Sequence, residues 1–276
     1  MLLYHDQIKK RSAVNIDIED RAYQFGDGVY EVIRIYNKKP FYLDAHLDRF
    51  VRSSTAIKIE LPYPIQQLKQ LLLQLIEQAQ LETGNIYLQI SRGVAPRSHA
   101  FPGTIQPVVI AYPQNTNRPI SALNEGVCAI TTPDIRWLRC DIKSLNLLGA
   151  CLAKQEAIER EAQEAILIRD GYVTEGSSTN IFVVHNQTLY THPANHLILN
   201  GVTRSIVLNL ADKLCISTKE SAISENALES AEECFMTSTN MEICPIVQIN
   251  DKKVGTGRPG IMTKQLQEAF EHLIGK

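Results

Sequence analysis

The sequence lacks three features that would place it in a specialised class of protein. It contains no run of five like charges, and its 28 Lys and Arg nearly balance 30 Asp and Glu, for a net charge of -2. No stretch approaches the roughly 18 uninterrupted apolar residues of a membrane-spanning helix. Its six cysteines include no closely spaced pair of the kind found in metal and redox motifs. We therefore expect no nucleic-acid partner, no membrane, no metal site, and free thiols in a reducing compartment.

The start of the chain and its composition point to an ordinary globular protein. The first residues, MLLYHDQIKKRSAV, show no apolar segment followed by a small-residue cleavage site, so we expect a cytoplasmic location. A content of 44% hydrophobic and 21% charged residues excludes disorder and fibrous repeats. The segment 113–126 is rich in proline and asparagine and has no apolar periodicity. It predicts a boundary between a smaller domain, 1–117, and a larger domain, 118–276.

Short strands alternate with helices along the chain. Residues 29–35, VYEVIRI, alternate as a strand does and place Tyr30 and Arg34 on one face. Residues 65–81 repeat their leucines with a helical period, and the pair Asp170 and Gly171 is typical of a tight hairpin. Hairpins interleaved with helices predict an α+β fold in both domains rather than a doubly wound parallel sheet.

Two residues are candidates for acid, base or covalent chemistry. Lys143 lies among apolar residues where irregular chain meets an apolar helix. Burial disfavours the charged form of an amine, and an uncharged amine can form a Schiff base with a carbonyl group. Glu175 follows a strand and precedes a Gly-Ser-Ser-Thr turn, where a carboxylate can accept a proton from a ring nitrogen. Each pattern also has a purely structural explanation. Lys143 can be a surface lysine at the start of a helix, and Glu175 can belong to a hairpin that ends in Gly and Ser.

A third candidate is the helix start in NGVTRSIVLNL. Gly201, Val202 and Thr203 open an apolar-periodic helix whose first N–H groups have no partner within the helix. The dipole of the helix is positive at this end, so a phosphate can bind there. Thr203 can equally be a capping residue.

Further polar groups lie in loops and at strand ends. Ser238 and Thr239 belong to a hydroxyl cluster that ends a strand, and Arg49 lies in HLDRF. Arg97 and His99 lie in APRSHAFPG, a loop stiffened by prolines. An arginine fork with a neighbouring histidine can grip a carboxylate. Single arginines more often make surface ion pairs, and polar loops are usually solvated.

Taken in order, seven segments of the chain resemble fold-type IV pyridoxal-phosphate enzymes. They are YQFGDGVYE, HLDR, PRSHAFP, WLRCDIKSLNLLGA, TEGSSTN, NGVTR and TSTN. The PRSHAFP loop is similar to that of bacterial D-amino acid aminotransferases. The resemblance runs from the first strand to the last helix. It implies a two-domain α+β enzyme with pyridoxal 5'-phosphate (PLP) as cofactor, each domain having sheet or barrel-like strands packed with helices.

The resemblance also implies roles for individual residues. Lys143 would hold PLP as an internal aldimine and later move a proton between the substrate α-carbon and the cofactor, while Glu175 would pair with the pyridinium nitrogen. Further contacts to the cofactor would come from Arg49, Ser178, Leu199, Val202, Thr203, Ser238 and Thr239. Tyr30, Arg97 and His99 would bind the substrate α-carboxylate. In this family the Arg and His loop reaches in from the neighbouring subunit of a homodimer.

The implied reaction is a ping-pong transamination that converts D-alanine and 2-oxoglutarate into pyruvate and D-glutamate. Two alternatives share the fold type: a branched-chain L-amino acid aminotransferase, which lacks the Arg and His loop, and an aminodeoxychorismate lyase. A dimer that only stores PLP is disfavoured, because storage needs neither a proton shuttle nor an electron sink. The chain departs from the family pattern at Arg34, where lysine is frequent, so the resemblance does not rank the D-amino acids.

Overall fold

The computed structural model describes residues 1–275, which form two compact units. Unit 1 comprises Met1–Asn117 and Ile142–Asn146, and unit 2 comprises Arg118–Asp141 and the chain from Leu147 onwards. The sequence predicts that the second domain carries Lys143, whereas the segment 142–146 groups with unit 1. The reason is backbone pairing, since Tyr30 donates its N–H to the carbonyl of Lys143 at 3.0 Å and Leu145 donates to Gly28 at 3.0 Å.

Unit 1 is built on one antiparallel sheet. Its elements are β1 (Leu2–Tyr4), β2 (Gln7–Lys9), α1 (Arg21–Phe25), β3 (Gly28–Tyr36), β4 (Lys39–Pro40), α2 (Leu43–Ala56), α3 (Ile65–Gln78), β5 (Gly84–Ser91) and β6 (Val108–Gln114), with a 3-10 turn at Arg11–Ala13. The strands lie in the order β2-β1-β6-β5-β3-β4.

The core of unit 1 lies on one face of this sheet. Alternate residues of β3, among them Val29 and Ile33, pack with the leucines of α3 and with Phe50 of α2. The apolar stripe predicted for residues 65–81 therefore faces the core, with Leu68 and Leu72 fully buried. The opposite face of β3 carries Tyr30, Val32 and Arg34.

Unit 2 contains a mixed sheet. Its elements are α4 (Ile120–Glu125), β7 (Val127–Pro133), α5 (Leu148–Glu159), β8 (Glu164–Arg169), β9 (Tyr172–Gly176), β10 (Asn180–His185), β11 (Thr188–Thr191), α6 (Val202–Lys213), β12 (Thr218–Glu220), β13 (Ile223–Ser224), α7 (Glu225–Glu229), β14 (Glu233–Ser238), β15 (Glu242–Ile249), β16 (Lys252–Lys253) and α8 (Ile261–Ile274). The strands lie in the order β12-β11-β10-β14-β15-β7-β8-β9-β13, to which β16 adds beside β15.

Two features of unit 2 position its polar residues. Asp170 and Gly171 both have positive φ, 51° and 79°, and turn the chain from β8 into β9 as predicted. Glu175 lies near the end of β9. Strand β10 pairs with β14 so that Asn180 lies opposite Thr237, which brings the start of one strand to the end of the other. The predicted α+β fold is confirmed in both units.

The helices can be compared with the length and apolarity that a membrane span requires. Among residues 1–275, every helix is too short or too polar to cross a bilayer.

Candidate active site

In unit 1, Lys143 lies beside Tyr30. The Lys143 Nζ atom is 4.3 Å from the centroid of the Tyr30 ring, and the Lys143 side chain is half-buried. The backbone is fixed on both sides, because the Lys143 N–H donates to Ser53 Oγ at 3.3 Å and its carbonyl accepts from Tyr30. The ring of Tyr30 stacks on Tyr87, with centroids 5.8 Å apart. The Lys143 amine therefore lies against the ring of Tyr30.

Arg49 of α2 belongs to a buried ion cluster with Glu31 and His46. Its Nε and Nη2 atoms donate to the two oxygens of Glu31 at 2.7 Å and 2.9 Å, and His46 Nδ1 donates to Glu31 at 2.8 Å. Burial opposes the ionisation of Glu31, but Arg49 and His46 outweigh it and hold the pKa of this carboxyl below its usual value. Burial, together with the charges of Arg49 and Lys143, lowers the pKa of His46 despite Glu31. The bidentate pair fixes the Arg49 guanidinium in one orientation.

Arg97 and His99 lie together in an exposed loop of unit 1. Both approach the ring of Phe25, Arg97 at 5.0 Å from its centroid and the His99 ring at 5.6 Å. The loop is tied to α1, because Arg21 Nη1 donates to the carbonyl of Ser98 at 2.6 Å. This hydrogen bond holds the loop that the prolines are predicted to stiffen. The side chains of Arg97 and His99 remain exposed to solvent.

In unit 2, Glu175 is a buried carboxylate with three hydrogen-bond donors. Arg136 Nη1 donates to Oε1, whereas Asn180 Nδ2 and the Leu199 N–H donate to Oε2, each at 3.0 Å. A carboxylate has about four acceptor sites, so Oε1 retains one for a further donor. Burial raises the pKa of Glu175 to about 7, although Arg136 and the Leu199 N–H favour its charged form.

Arg136 is itself held by a second carboxylate. Its Nε and Nη2 atoms donate to Asp134 at 2.9 Å and 2.8 Å, and Arg169 forms a further ion pair with Asp134 at 3.0 Å. Burial works against the charge of Arg136, but Asp134 and Glu175 outweigh it and raise its pKa. Gly149 of α5 lies close to Arg136, where an added Cβ atom would come within 3.2 Å of Arg136 Cγ.

The predicted phosphate-binding residues of unit 2 lie around Asn180. Helix α6 begins at Val202 without a side-chain cap from the described residues, which leaves its first N–H groups available to an anion. A Cβ atom on Gly201 would clash with Asn180 Oδ1, so this helix start lies directly against β10. Thr237, opposite Asn180, has a buried hydroxyl that finds no hydrogen-bond partner within residues 1–275.

The turn after Glu175 is shaped by a second buried acid. Glu164 accepts hydrogen bonds from the Ser177 N–H at 3.0 Å, from the Ser177 hydroxyl and from the Thr179 hydroxyl at 2.8 Å. These bonds tie the turn down on both sides of Ser178, whose side chain remains exposed. Ser238 and Thr239 are half-buried, and Ser238 Oγ accepts from the Met241 N–H at 3.1 Å.

These groups fit PLP by their chemistry. The open helix start at Val202 and Thr203 and the buried Thr237 hydroxyl suit a phosphate group. The remaining acceptor site on Glu175 suits a protonated ring nitrogen, and the amine of Lys143 suits an aldehyde.

The structure groups the predicted residues in sets and adds residues that the sequence analysis missed. It brings Tyr30 to Lys143, and it brings Leu199 to Glu175 through the backbone N–H. The residues that were not predicted are Arg136, Asn180, Glu31, His46 and Glu164. Glu31, His46 and Asn180 stand within segments already quoted, and Arg136 immediately precedes one of them, so the signal was a polar residue in or beside a motif. The ion pairs themselves join residues far apart in sequence.

The sequence of this chain matches the model of the family described as amino-transferase class IV over residues 28–249. The chain therefore belongs to the class IV aminotransferases, and it is a PLP-dependent enzyme. The predictions of an aminotransferase, of the fold-type IV fold and of PLP as cofactor are confirmed.

Three known proteins illustrate the relationship. The D-alanine aminotransferase of Bacillus licheniformis is 46% identical over 273 residues, which cover 99% of this chain and 96% of that protein. Among solved structures, the branched-chain amino acid aminotransferase of Escherichia coli has a TM-score of 0.95 at 27% identity, covering 99% of this chain and 94% of the other. The branched-chain aminotransferase of the archaeon Thermoproteus uzoniensis, solved with norvaline, has a TM-score of 0.92 at 26% identity, covering 100% of this chain and 95% of the other.

Proposed function

We propose that this chain transfers the amino group of D-alanine to 2-oxoglutarate, giving pyruvate and D-glutamate. Activity on D-amino acids is supported by the D-alanine aminotransferase relatives, which share more sequence with this chain than the branched-chain enzymes do. The observation that carries the proposal is the carboxylate of Glu175, buried, held by three donors and left with one acceptor site.

The chain's own residues would act as follows. Lys143 would hold the cofactor through its amine, and the same amine would take the proton from the substrate α-carbon as a general base. Glu175 would keep the ring nitrogen protonated. When bound, PLP supplies the electron sink that stabilises negative charge at the α-carbon. Arg49, oriented by Glu31, supplies positive charge to the phosphate, together with the donors at Val202 and Thr203.

The remaining cofactor and substrate contacts complete the proposal. Ser178 and Leu199 would flank the ring, and Ser238 and Thr239 would donate to the phosphate. Tyr30, Arg97 and His99 would hold the substrate α-carboxylate. Binding of the α-carboxylate and the position of the Lys143 amine would orient two of the four substituents of the α-carbon. Only one enantiomer can then present its α-hydrogen to the Lys143 amine. The relatives named D-alanine aminotransferase support the D form.

We also propose a homodimer in which Arg97 and His99 reach the neighbouring subunit's site. Their exposure on a loop anchored by Arg21 supports this arrangement, since both side chains are free to contact another chain. A cytoplasmic location is supported by six free cysteines, because such thiols persist in a reducing compartment. Analytical ultracentrifugation tests the dimer, and a strict monomer with full activity would refute it.

The proposed function is tested by the visible spectrum of the purified holoenzyme. We expect D-alanine to bleach the absorption band of the bound cofactor and L-alanine to leave it unchanged. Borohydride reduction followed by peptide mapping should place the cofactor on Lys143. Lys143→Ala should lose both the label and turnover, whereas Lys264→Ala, at an exposed lysine of α8, should keep both.

The alternatives have distinct outcomes. Turnover of L-valine or L-leucine in place of D-alanine would assign the chain to the branched-chain enzymes. Release of pyruvate from aminodeoxychorismate without an amino acceptor would assign it to the lyases. A label on any lysine other than Lys143 would refute the assigned role of this residue.

A further inference from the structure

A buried arginine on the Tyr30 face of β3 lacks an anionic partner among the described residues. Arg34 is 2% exposed, and its Nε and Nη2 atoms have no hydrogen-bond partner within residues 1–275. Its Nη1 atom donates to neutral oxygens, to Asn85 Oδ1 at 3.3 Å and to Thr116 Oγ1 at 3.0 Å. Burying a guanidinium without a counter-charge is strongly unfavourable, so such groups are normally paired with an anion.

A second unpaired donor lies beside it. Asn85 of β5 is directly opposite Arg34 in the sheet and is 1% exposed, and its Nδ2 atom also lacks a partner in the part of the chain that the structure describes. Arg34 Nε, Arg34 Nη2 and Asn85 Nδ2 are therefore three buried donors on two adjoining side chains. The planar fork of an arginine matches the two oxygens of a carboxylate. Together these donors suit an acceptor-rich anion of that shape.

Arg34 lies on the same face of β3 as Tyr30, the residue beside Lys143. In a strand, residues i, i+2 and i+4 share one face, so Arg34 and Tyr30 lie on the same side of β3, about 13 Å apart along the strand. The opposite side is filled by core residues such as Ile33 and Ile35. Tyr30 is the residue whose ring lies 4.3 Å from Lys143 Nζ. A carboxylate that reaches Arg34 from the Lys143 side would belong to the far end of a substrate.

We propose that Arg34 and Asn85 form a subsite for the second carboxylate of a dicarboxylic substrate, of the class of D-glutamate, D-aspartate and 2-oxoglutarate. This inference rests on the proposed function, because it requires the α-carbon end of the substrate to lie at Tyr30 and Lys143. It assigns to Arg34 the discrimination between mono- and dicarboxylic substrates. An acidic side chain of a second copy of this chain has the same chemistry, and the test separates the two sources.

The test compares two half-reactions of the purified holoenzyme, followed by the visible spectrum. We expect Arg34→Met to lower the ratio of kcat/KM for D-glutamate to kcat/KM for D-alanine by about 10- to 100-fold, as for a lost hydrogen bond to a charged group. Arg34→Lys keeps the charge but loses the fork, so its ratio should fall less. Arg52→Met, at an exposed arginine of α2, is the matched control and should leave the ratio unchanged.

A binding measurement needs no turnover. Calorimetry of the wild-type holoenzyme should show tighter binding of glutarate than of butyrate, and Arg34→Met should remove this preference. Equal binding of the two acids by the wild type would overturn the subsite even if Arg34→Met failed to fold. If Arg34→Met lowers kcat/KM equally for D-glutamate and D-alanine and also changes the oligomeric state, Arg34 belongs to a contact between copies of the chain. This result would also overturn the carboxylate subsite.

The two proposals fail in different ways. A wild-type holoenzyme that converts neither D-alanine nor D-glutamate refutes the proposed function. One that converts D-alanine, but whose substrate ratio does not change in Arg34→Met, refutes only the carboxylate subsite.

Discussion

Arg136 forms a hydrogen-bonded ion pair with Glu175 while Asp134 holds the rest of its guanidinium. This arrangement opposes the effect of burial, which by itself favours the protonated form of Glu175. It also fixes which carboxylate oxygen faces Arg136 and which accepts from Asn180 and Leu199. The charge of Glu175 thus depends on a residue that need not contact the cofactor.

We expect Arg136→Met to raise the pKa of Glu175 further, because the opposite charge beside it is lost. The pH midpoint of cofactor binding should then move to higher pH, on the order of one unit. Titrating cofactor-free protein with PLP across a pH series measures this shift. Arg160→Met, at an exposed arginine of unit 2, serves as the control and should not move the midpoint. An unchanged midpoint in Arg136→Met would contradict the role of the ion pair.

Glu175 should itself impose a pH dependence on cofactor affinity. Its pKa is raised to about 7, so the carboxylate is present above that pH and is lost as the pH falls through it. We expect affinity for PLP to decrease as the pH is lowered from about 8 to about 6, since a protonated Glu175 cannot pair with a pyridinium nitrogen. The protonation of PLP itself affects wild type and variants equally. The difference in the pH profile of PLP affinity between wild type and Glu175→Gln therefore reports the contribution of Glu175. Parallel profiles for the two proteins would exclude a role of Glu175 in this pH dependence.

Gly201 should be intolerant of even a methyl group. Its backbone has an ordinary φ of -66°, so the obstacle is the clash of a Cβ atom with Asn180 Oδ1. We expect Gly201→Ala to displace Asn180 from Glu175, to weaken PLP binding and to destabilise the protein by about 1–3 kcal/mol. Affinity and urea denaturation measure the two effects. Gly103→Ala, where an added Cβ atom meets nothing within 4 Å, is the control. Wild-type affinity in Gly201→Ala would show that the helix start does not depend on this contact.

Glu164 should contribute mainly to stability. Glu164→Ala leaves the hydroxyls of Ser177 and Thr179 without this acceptor and removes one acceptor from the N–H groups of Ala165 and Ser177, at a cost of about 2–4 kcal/mol. Denaturant unfolding of the variant measures this cost, with Glu268→Gln on the surface of α8 as the control. A loss below about 1 kcal/mol would mean that water replaces the carboxylate in these bonds.

How much the sequence could predict differs between residues. Lys143 and Glu175 are candidates from the sequence because each lies in a segment whose residue types suit Schiff-base and ring-nitrogen chemistry, and their roles stay predictions. The hairpin at Asp170 and Gly171 was found because its turn needs positive φ in adjacent residues. In contrast, Glu31 adjoins Tyr30 in the sequence, yet its pairing with Arg49 requires α2 to pack on β3. Local periodicity contains no information about such a contact.

The amino-acid sequence by itself determined the alternation of strands and helices, because this follows from short-range patterns, and its resemblance to fold-type IV enzymes implied the class of chemistry and the cofactor. Only the tertiary structure decided that Glu175 is buried under Arg136, that Asn180 joins Glu175 to the start of α6, and that Arg34 has no anion beside it in the described part of the chain. Hydrogen bonds and burial at these positions join segments distant in sequence. Arg136 and Glu175, for example, are 39 residues apart. Whether a charged group is paired or unpaired is a property of the folded surroundings and not of its neighbours in the chain.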